Sequence, residues 1–181
     1  MPRKPAARER LIEAFERIVV EDGERAATLD AVAARAGVSK GGLLYHFAAR
    51  HDLAAASLER LRELARADVQ QMAASEEGAA RAFLRSSLWV GSALDVSILT
   101  ASRLAQSGDD DARAQLLELE HAWHRILLGD LGDAAVAQAV LHMGDGLYHN
   151  AAVGILAEEE AQRTAVVEQL LEALERMRPE R

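Results

Sequence analysis

Apolar residues recur at helical spacing along most of this 181-residue chain. Leu11, Ile12, Phe15, Ile18 and Val19 fall on one stripe and predict an amphipathic first helix that ends near Asp22-Gly23. Leu29, Val32, Ala33 and Ala36 follow at i, i+3, i+4 and i+7, the apolar face of a short second helix. Thr28 stands before it, where a hydroxyl can accept an unpartnered first-turn N–H. Gly37 supplies the left-handed residue that ends such a helix. Ser39 then caps a third helix that starts at once and buries Leu43 and Phe47 on one side. Two capped helices joined by a short glycine turn predict a helix-turn-helix, with a plain helical hairpin as the competing reading.

The pattern stays helical to the end. A long helix is predicted over about Asp52–Ala74, with a break at Glu76-Glu77-Gly78. Helices follow over about Ala79–Trp89 and Leu94–Gln106, separated by Gly91-Ser92-Ala93. After Ser107-Gly108 and the Asp109–Asp111 run, another helix extends to about Leu128 and is ended by Gly129-Asp130-Leu131-Gly132. The last two helices are predicted over Asp133–Leu156 and Glu159–Met177. The first of them carries small residues at Ala139, Gly144, Gly146, Ala151, Ala152 and Gly154. A glycine inside a helix costs about 1 kcal/mol relative to alanine, so these suggest close approach by another helix. In the last helix Val166, Val167, Leu170, Leu171, Leu174 and Met177 form one apolar stripe. The fold class is therefore all-α, with a three-helix helix-turn-helix domain over residues 1–50 and a helical domain over residues 51–181.

Composition narrows the function. Half of the residues are hydrophobic but only 4% are aromatic, so the core is aliphatic. No cysteine is present, which excludes disulfides and thiolate metal sites. No apolar run approaches the roughly 18 residues of a membrane-spanning helix, and no signal peptide precedes the first helix, so a cytoplasmic location is expected. The net charge of −8 is unevenly spread: residues 1–50 carry nine Lys/Arg against seven Asp/Glu, and the remainder carry twelve against twenty-two. The N-terminal end is thus the one suited to a polyanion. Arg3, Lys4, Arg8 and Arg10 open it as a short basic arm, either a duplex contact or a solvated tail.

Thr28, the run Ala36-Gly37-Val38-Ser39-Lys40-Gly41, Tyr45-His46-Phe47, and Arg50 with Asp52-Leu53 resemble the TetR family of transcriptional regulators. The motif covers about Ala7 to Leu53; beyond it the chain resembles that family in length and helical character. The resemblance implies a homodimer paired through the last two helices, an N-terminal domain on a palindromic operator in double-stranded DNA, and a C-terminal domain whose small-molecule effector releases DNA from a repressor. It implies no cofactor and no catalysis. Burial of the last two helices against the chain's own core is the equal alternative to a dimer interface.

The expected DNA-binding residues are Thr28, Ser39, Lys40, Gly41, Gly42, Leu44, Tyr45, His46 and Arg50. Lys40 and Tyr45 can donate to base edges or phosphates, and Leu44 can meet a thymine methyl group. Gly42 departs from the small polar residue usual in the family, so Gly41 and Gly42 offer no side chain to a base. Arg50 stands where the family usually has a phosphate-binding lysine, and an arginine keeps that charge. For Tyr45 and His46 the structural alternative is packing at the domain edge. The family's effector pocket lies among the middle helices, where Trp89, Arg103, Trp123, His124, Met143 and Tyr148 are the candidate lining, with Arg103 suggesting a carboxylate on the ligand. A helical metal-binding or enzymatic domain using His142, Asp145 and His149 is the alternative function, with His121 and His124 as a second histidine group. Zinc needs three or four convergent donors, and neither an HExxH pattern nor a cysteine supplies them.

Overall fold

The structure is a computed structural model that describes residues 6–156 and 159–178. Among these it holds nine α-helices: α1 (Ala7–Asp22), α2 (Leu29–Ala36), α3 (Lys40–His46), α4 (Arg50–Ala73), α5 (Ala79–Ser86), α6 (Ala93–Gln106), α7 (Asp110–Leu131), α8 (Ala134–Ala152) and α9 (Glu160–Met177). One 3-10 turn, Glu24–Ala26, lies between α1 and α2. The chain forms two compact units, Met1–Ala65 with Gly91–Glu118, and Arg66–Val90 with Leu119–Arg181. Each unit is discontinuous in the chain: α6 and the first two thirds of α4, through Ala65, pack into the unit that contains the helix-turn-helix.

In the first unit the stripe of α1 closes over the short helices. Leu11, Phe15, Val19, Val32, Leu43 and Leu53 are fully buried, and Phe47 nearly so. The α6 helix packs along α1 and contributes Val96, Ala101 and Leu104 to the same interior. Its start is fixed by a capping box in which Asp95 N donates to Ser92 Oγ (3.1 Å) and Ser92 N donates to Asp95 Oδ2 (2.9 Å). Such a reciprocal pair satisfies two donors that a helix start otherwise leaves open.

In the second unit Phe83 and Leu84 of α5, Leu127 and Leu131 of α7, Val140, Leu141 and Leu147 of α8, and Val167, Leu171 and Leu174 of α9 share one core. Gly144 lets α5 and α8 meet: a Cβ built there would lie 2.3 Å from Phe83 Cε1 and 2.7 Å from Ser87 Oγ. The close approach expected of the small-residue helix is thus made, at this position, within the chain's own core. The stripe on α9 is split in the same way. Val167, Leu171 and Leu174 are buried, whereas Val166, Leu170 and Met177 pack only partly.

Three helix ends differ from the sequence pattern. The α5 helix stops at Ser86, three residues before Trp89, where the Ser86 and Ser87 hydroxyls both donate back to Phe83 O. The α7 helix runs through Gly129 to Leu131; just inside that end, the Asp130 carboxylate accepts from Ala80 N at 2.8 Å and pairs with Arg178 at 3.6 Å. The α8 helix stops at Ala152, and Gly154 takes φ +71°. No helix is long and apolar enough to cross a membrane among the described residues.

Candidate nucleic-acid interface

Short-range hydrogen bonds build the turn. Thr28 Oγ1 accepts from Ala31 N at 3.2 Å and Ser39 Oγ accepts from Gly42 N at 3.1 Å, so both expected caps are in place. Each such cap contributes about 1 kcal/mol to its helix. Gly37 adopts φ 62°, ψ 38°, and its N–H bonds back into α2. Val38 N donates to Ala33 O at 3.0 Å, which closes the turn. Leu43 and Phe47 face inward, leaving the opposite side of α3 to solvent. There Tyr45 is 85% exposed and Leu44 44% exposed, with His46 beside Tyr45 in an edge-to-face contact at 5.1 Å. The edge contact leaves most of the Tyr45 ring in solvent.

The two glycines of α3 are not equivalent. A Cβ on Gly41 would meet nothing within 4 Å, whereas one on Gly42 would lie 2.9 Å from Val38 Cγ1 and 3.2 Å from Ser39 Oγ. Gly41 therefore belongs to the open face, and Gly42 faces back into the turn.

The two expected phosphate donors are both engaged inside the molecule. Lys40 Nζ sits 2.9 Å from Asp30 Oδ1, in a pair whose side chains are 60% and 71% exposed. A pair this exposed is worth little, so an incoming phosphate can displace it. Arg50 is held more firmly. Its Nε donates to Ala27 O (3.2 Å), and one terminal nitrogen donates to Glu24 O (3.1 Å) and Glu24 Oε1 (2.7 Å). The guanidinium also lies 5.8 Å from the centre of the Phe15 ring. Arg50 thus fastens the segment that delivers Thr28. The Ser107 hydroxyl at the end of α6 and the Arg50 charge hold the Glu24 carboxyl below its usual range. Sequence reasoning missed this Glu24–Arg50 connection, whose members are 26 residues apart in the chain. Of the basic arm, Arg3 and Lys4 lie outside the described residues. Arg8 belongs to α1 and stacks over Phe47 at 5.5 Å.

The six candidate effector residues are divided between the two units. Arg103 lies on α6, in the unit with the helix-turn-helix, and the other five lie in the second unit. Trp123 Nε1 donates to Asp68 Oδ2 at 2.8 Å, and its ring tilts against Phe83 at 5.5 Å. Met143 packs against the same core. Trp89 and Tyr148 form a separate edge-to-face pair at 5.8 Å, and His124 is partly buried. The second unit also holds a cavity of about 430 Å³, lined by Asp68, Gln71, Met72, Ser75, Ala82 and Ser86 and by none of the six. Among the described residues no three His, Cys, Asp or Glu side chains are placed to hold a metal. His142 Nδ1 lies 3.4 Å from Asp145 Oδ2 and its Nε2 2.9 Å from Gln138 Nε2, a local surface chain that does not assemble the His142/Asp145/His149 centre.

Two capped helices carrying an exposed aromatic face, followed by a purely helical second unit, define a helix-turn-helix regulator. Residues 11–57 match the family model of bacterial regulatory proteins of the tetR family, and residues 77–175 match the tetracyclin repressor-like C-terminal domain. The chain belongs to the TetR family of transcriptional regulators. No curated protein matches it in sequence. Among solved structures it is similar to a putative TetR-family transcriptional regulator from Rhodococcus sp., at TM-score 0.72 and 19% identity over 96% of this chain and 99% of that one. It is also similar to the multidrug binding protein EbrR complexed with malachite green (TM-score 0.69, 21% identity, 97% and 100% covered). A third is the putative transcriptional regulator SCO7518 from Streptomyces coelicolor A3(2) (TM-score 0.66, 21% identity, 97% and 100% covered).

Proposed function

We propose that the protein is a repressor that binds a palindromic operator as a homodimer and leaves it when a small molecule occupies its C-terminal domain. The observation that carries the reading is the exposed face of α3, with Leu44 and Tyr45 in solvent beside two capped helix starts and the open Gly41. In this reading Leu44 and Tyr45 meet base edges, and Thr28, Ser39 and His46 position the helix on phosphates. Lys40 joins them by exchanging Asp30 for phosphate, and Arg50 acts by holding the Glu24–Ala27 segment. Pairing through α8 and α9 is supported by Val166, Leu170 and Met177, which the chain's own core covers only in part. A small aromatic effector suits the second unit, whose half-buried Trp89 and Tyr148 rings offer stacking partners. To release DNA it must bind the DNA-incompetent arrangement better, since equal affinity for both shifts nothing.

Selection of bound duplexes from a random pool tests the reading directly. An inverted repeat is expected, with half-sites about one helical turn apart. Tyr45→Ala should lower affinity for the selected duplex, and Leu170→Glu should give a monomer that binds only half-sites. A pool with no enriched repeat would remove DNA binding as the function, and a dimeric Leu170→Glu variant with full affinity would place the interface elsewhere.

A further inference from the structure

Glu16 of α1 is an ionisable group buried among helices. Its side chain is 2% exposed in the first compact unit, on the apolar side of α1. One carboxyl oxygen, Oε1, accepts from Ser57 Oγ of α4 and from Ser97 Oγ of α6, both at 2.9 Å. Thr100 of α6 adds a longer bond to the Glu16 main-chain oxygen at 3.4 Å. Three helices therefore meet at one carboxyl group.

Its charge is poorly matched. The facing guanidinium, Arg60 of α4, is shared among three carboxyls of α1: Glu9 at 3.7 Å, Glu13 at 3.5 Å and Glu16 at 3.6 Å. The Nε of Arg60 is buried and makes no hydrogen bond, so it approaches Glu16 without satisfying it. At this cluster lies a cavity of about 420 Å³, whose charged walls are Arg10, Glu13, Glu16 and Arg17 of α1, Arg35 of α2 and Arg60. Arg35 is taken by Glu21 and Asp22, and Asp95 of α6 caps its own helix. Ala93 and Val96, at the start of α6, line the same cavity, so α6 has space beside it and protons have a route to the carboxyl.

We propose that Glu16 is a positioning residue, a carboxyl that clasps α6 to α1 when neutral and loosens it when ionised. When neutral, the carbonyl oxygen still accepts both serine hydroxyls, so the hydrogen bonds survive protonation. The ionised form keeps the same bonds but puts a buried charge opposite a shared cation too distant to donate to it. Burial accordingly holds the Glu16 carboxyl above its ordinary value of 4.5, with Arg60 and the two serines only partly opposing. An arrangement that opens α6 hydrates the carboxyl and binds the proton less tightly. Proton uptake therefore favours the packed arrangement. The gain is complete below the ordinary value and is lost as pH rises through the raised one.

The test is amide hydrogen exchange of the full chain from about pH 4.5 to about pH 7.5, corrected for intrinsic exchange and read as protection of α6 relative to α8. In the wild type that ratio should fall as pH rises across the range, because the open arrangement binds the proton less tightly than the packed one. Glu16→Gln should hold the ratio high and flat. Ser97→Ala should lower it at every pH, and Glu13→Gln should move the midpoint to lower pH by leaving more of Arg60 to Glu16. A wild-type slope retained in Glu16→Gln, a ratio that rises with pH, or a Ser97→Ala chain with full protection would each overturn the clasp. The measurement needs no DNA, so it stands or falls separately from operator binding.

Discussion

Helices α3 and α8 each carry two glycines, Gly41 with Gly42 and Gly144 with Gly146, and in each pair one faces open space while the other is crowded. Gly41 and Gly146 have nothing within 4 Å of an added Cβ. Gly42 and Gly144 do, but their neighbours differ in kind. Gly42 is crowded by Val38 and Ser39, four and three residues back along its own turn, whereas Gly144 is crowded by a phenylalanine ring 61 residues earlier. The first is a constraint of local geometry that can relax by small shifts of one loop. The second is a constraint of helix–helix packing, where a rigid ring and an intervening backbone must both move. The same residue type thus serves a turn in one unit and a crossing in the other.

The largest effect should come from Gly144→Ala. Its Cβ would enter the Phe83 ring, and overpacking of that kind costs roughly 1–3 kcal/mol or more, measured by denaturant unfolding. Phe83→Leu in the same chain should recover part of the loss; a Gly144→Ala protein of unchanged stability would erase the distinction. The next effect tests whether the first unit also depends on a long-range connection. Arg50→Met keeps bulk but strands the Glu24 and Ala27 carbonyls and the Glu24 carboxylate, and should cost roughly 1–2 kcal/mol. Because the Glu24 carboxyl is held below its usual range, its share of that stability is present at neutral pH and is lost as pH falls through the lowered value. The Arg50→Met deficit should therefore shrink in acid, and a deficit that grows there would rule out the Glu24 pair as its source.

The two α3 glycines give smaller, opposed changes. Gly41→Ala has room for its methyl group and should stabilise the chain by up to about 1 kcal/mol. Any loss of duplex affinity in that variant would then report contact with the groove rather than damage to the fold. Gly42→Ala gains the same propensity but presses on Val38 and the Ser39 cap. Its net change should lie within about 1 kcal/mol of zero by thermal unfolding. Equal stabilisation by both substitutions would show that the turn relaxes freely.

The helix-turn-helix was legible in the sequence because its determinants are local. Thr28 and Ser39 bond to backbone three residues on, and Gly37 needs only its own φ, so spacing suffices to read them. The inward turn of Arg50 was not legible, since its acceptors lie 23 and 26 residues away. The family resemblance placed Trp123 among the candidate pocket lining, but its indole bond to Asp68, 55 residues earlier, had no local signal. The glycine at position 129 looked like a helix end, but α7 continues through it, and Asp130 meets the start of α5, a contact no local pattern encodes. Nor did any sequence signal mark Glu16, which reads as one more solvated glutamate until Ser57 and Ser97 are brought to it.

The positions of the two indoles have a practical consequence for anyone following the protein in solution. Both tryptophans of the sequence lie in the second compact unit, one against Tyr148 and the other bonded to a carboxylate. Selectively excited emission therefore reports the environment of that unit and is blind to the helix-turn-helix. A melting curve taken by fluorescence can look like one clean transition while the DNA-facing half has already lost its order. A backbone signal such as circular dichroism, recorded beside it, restores the missing half.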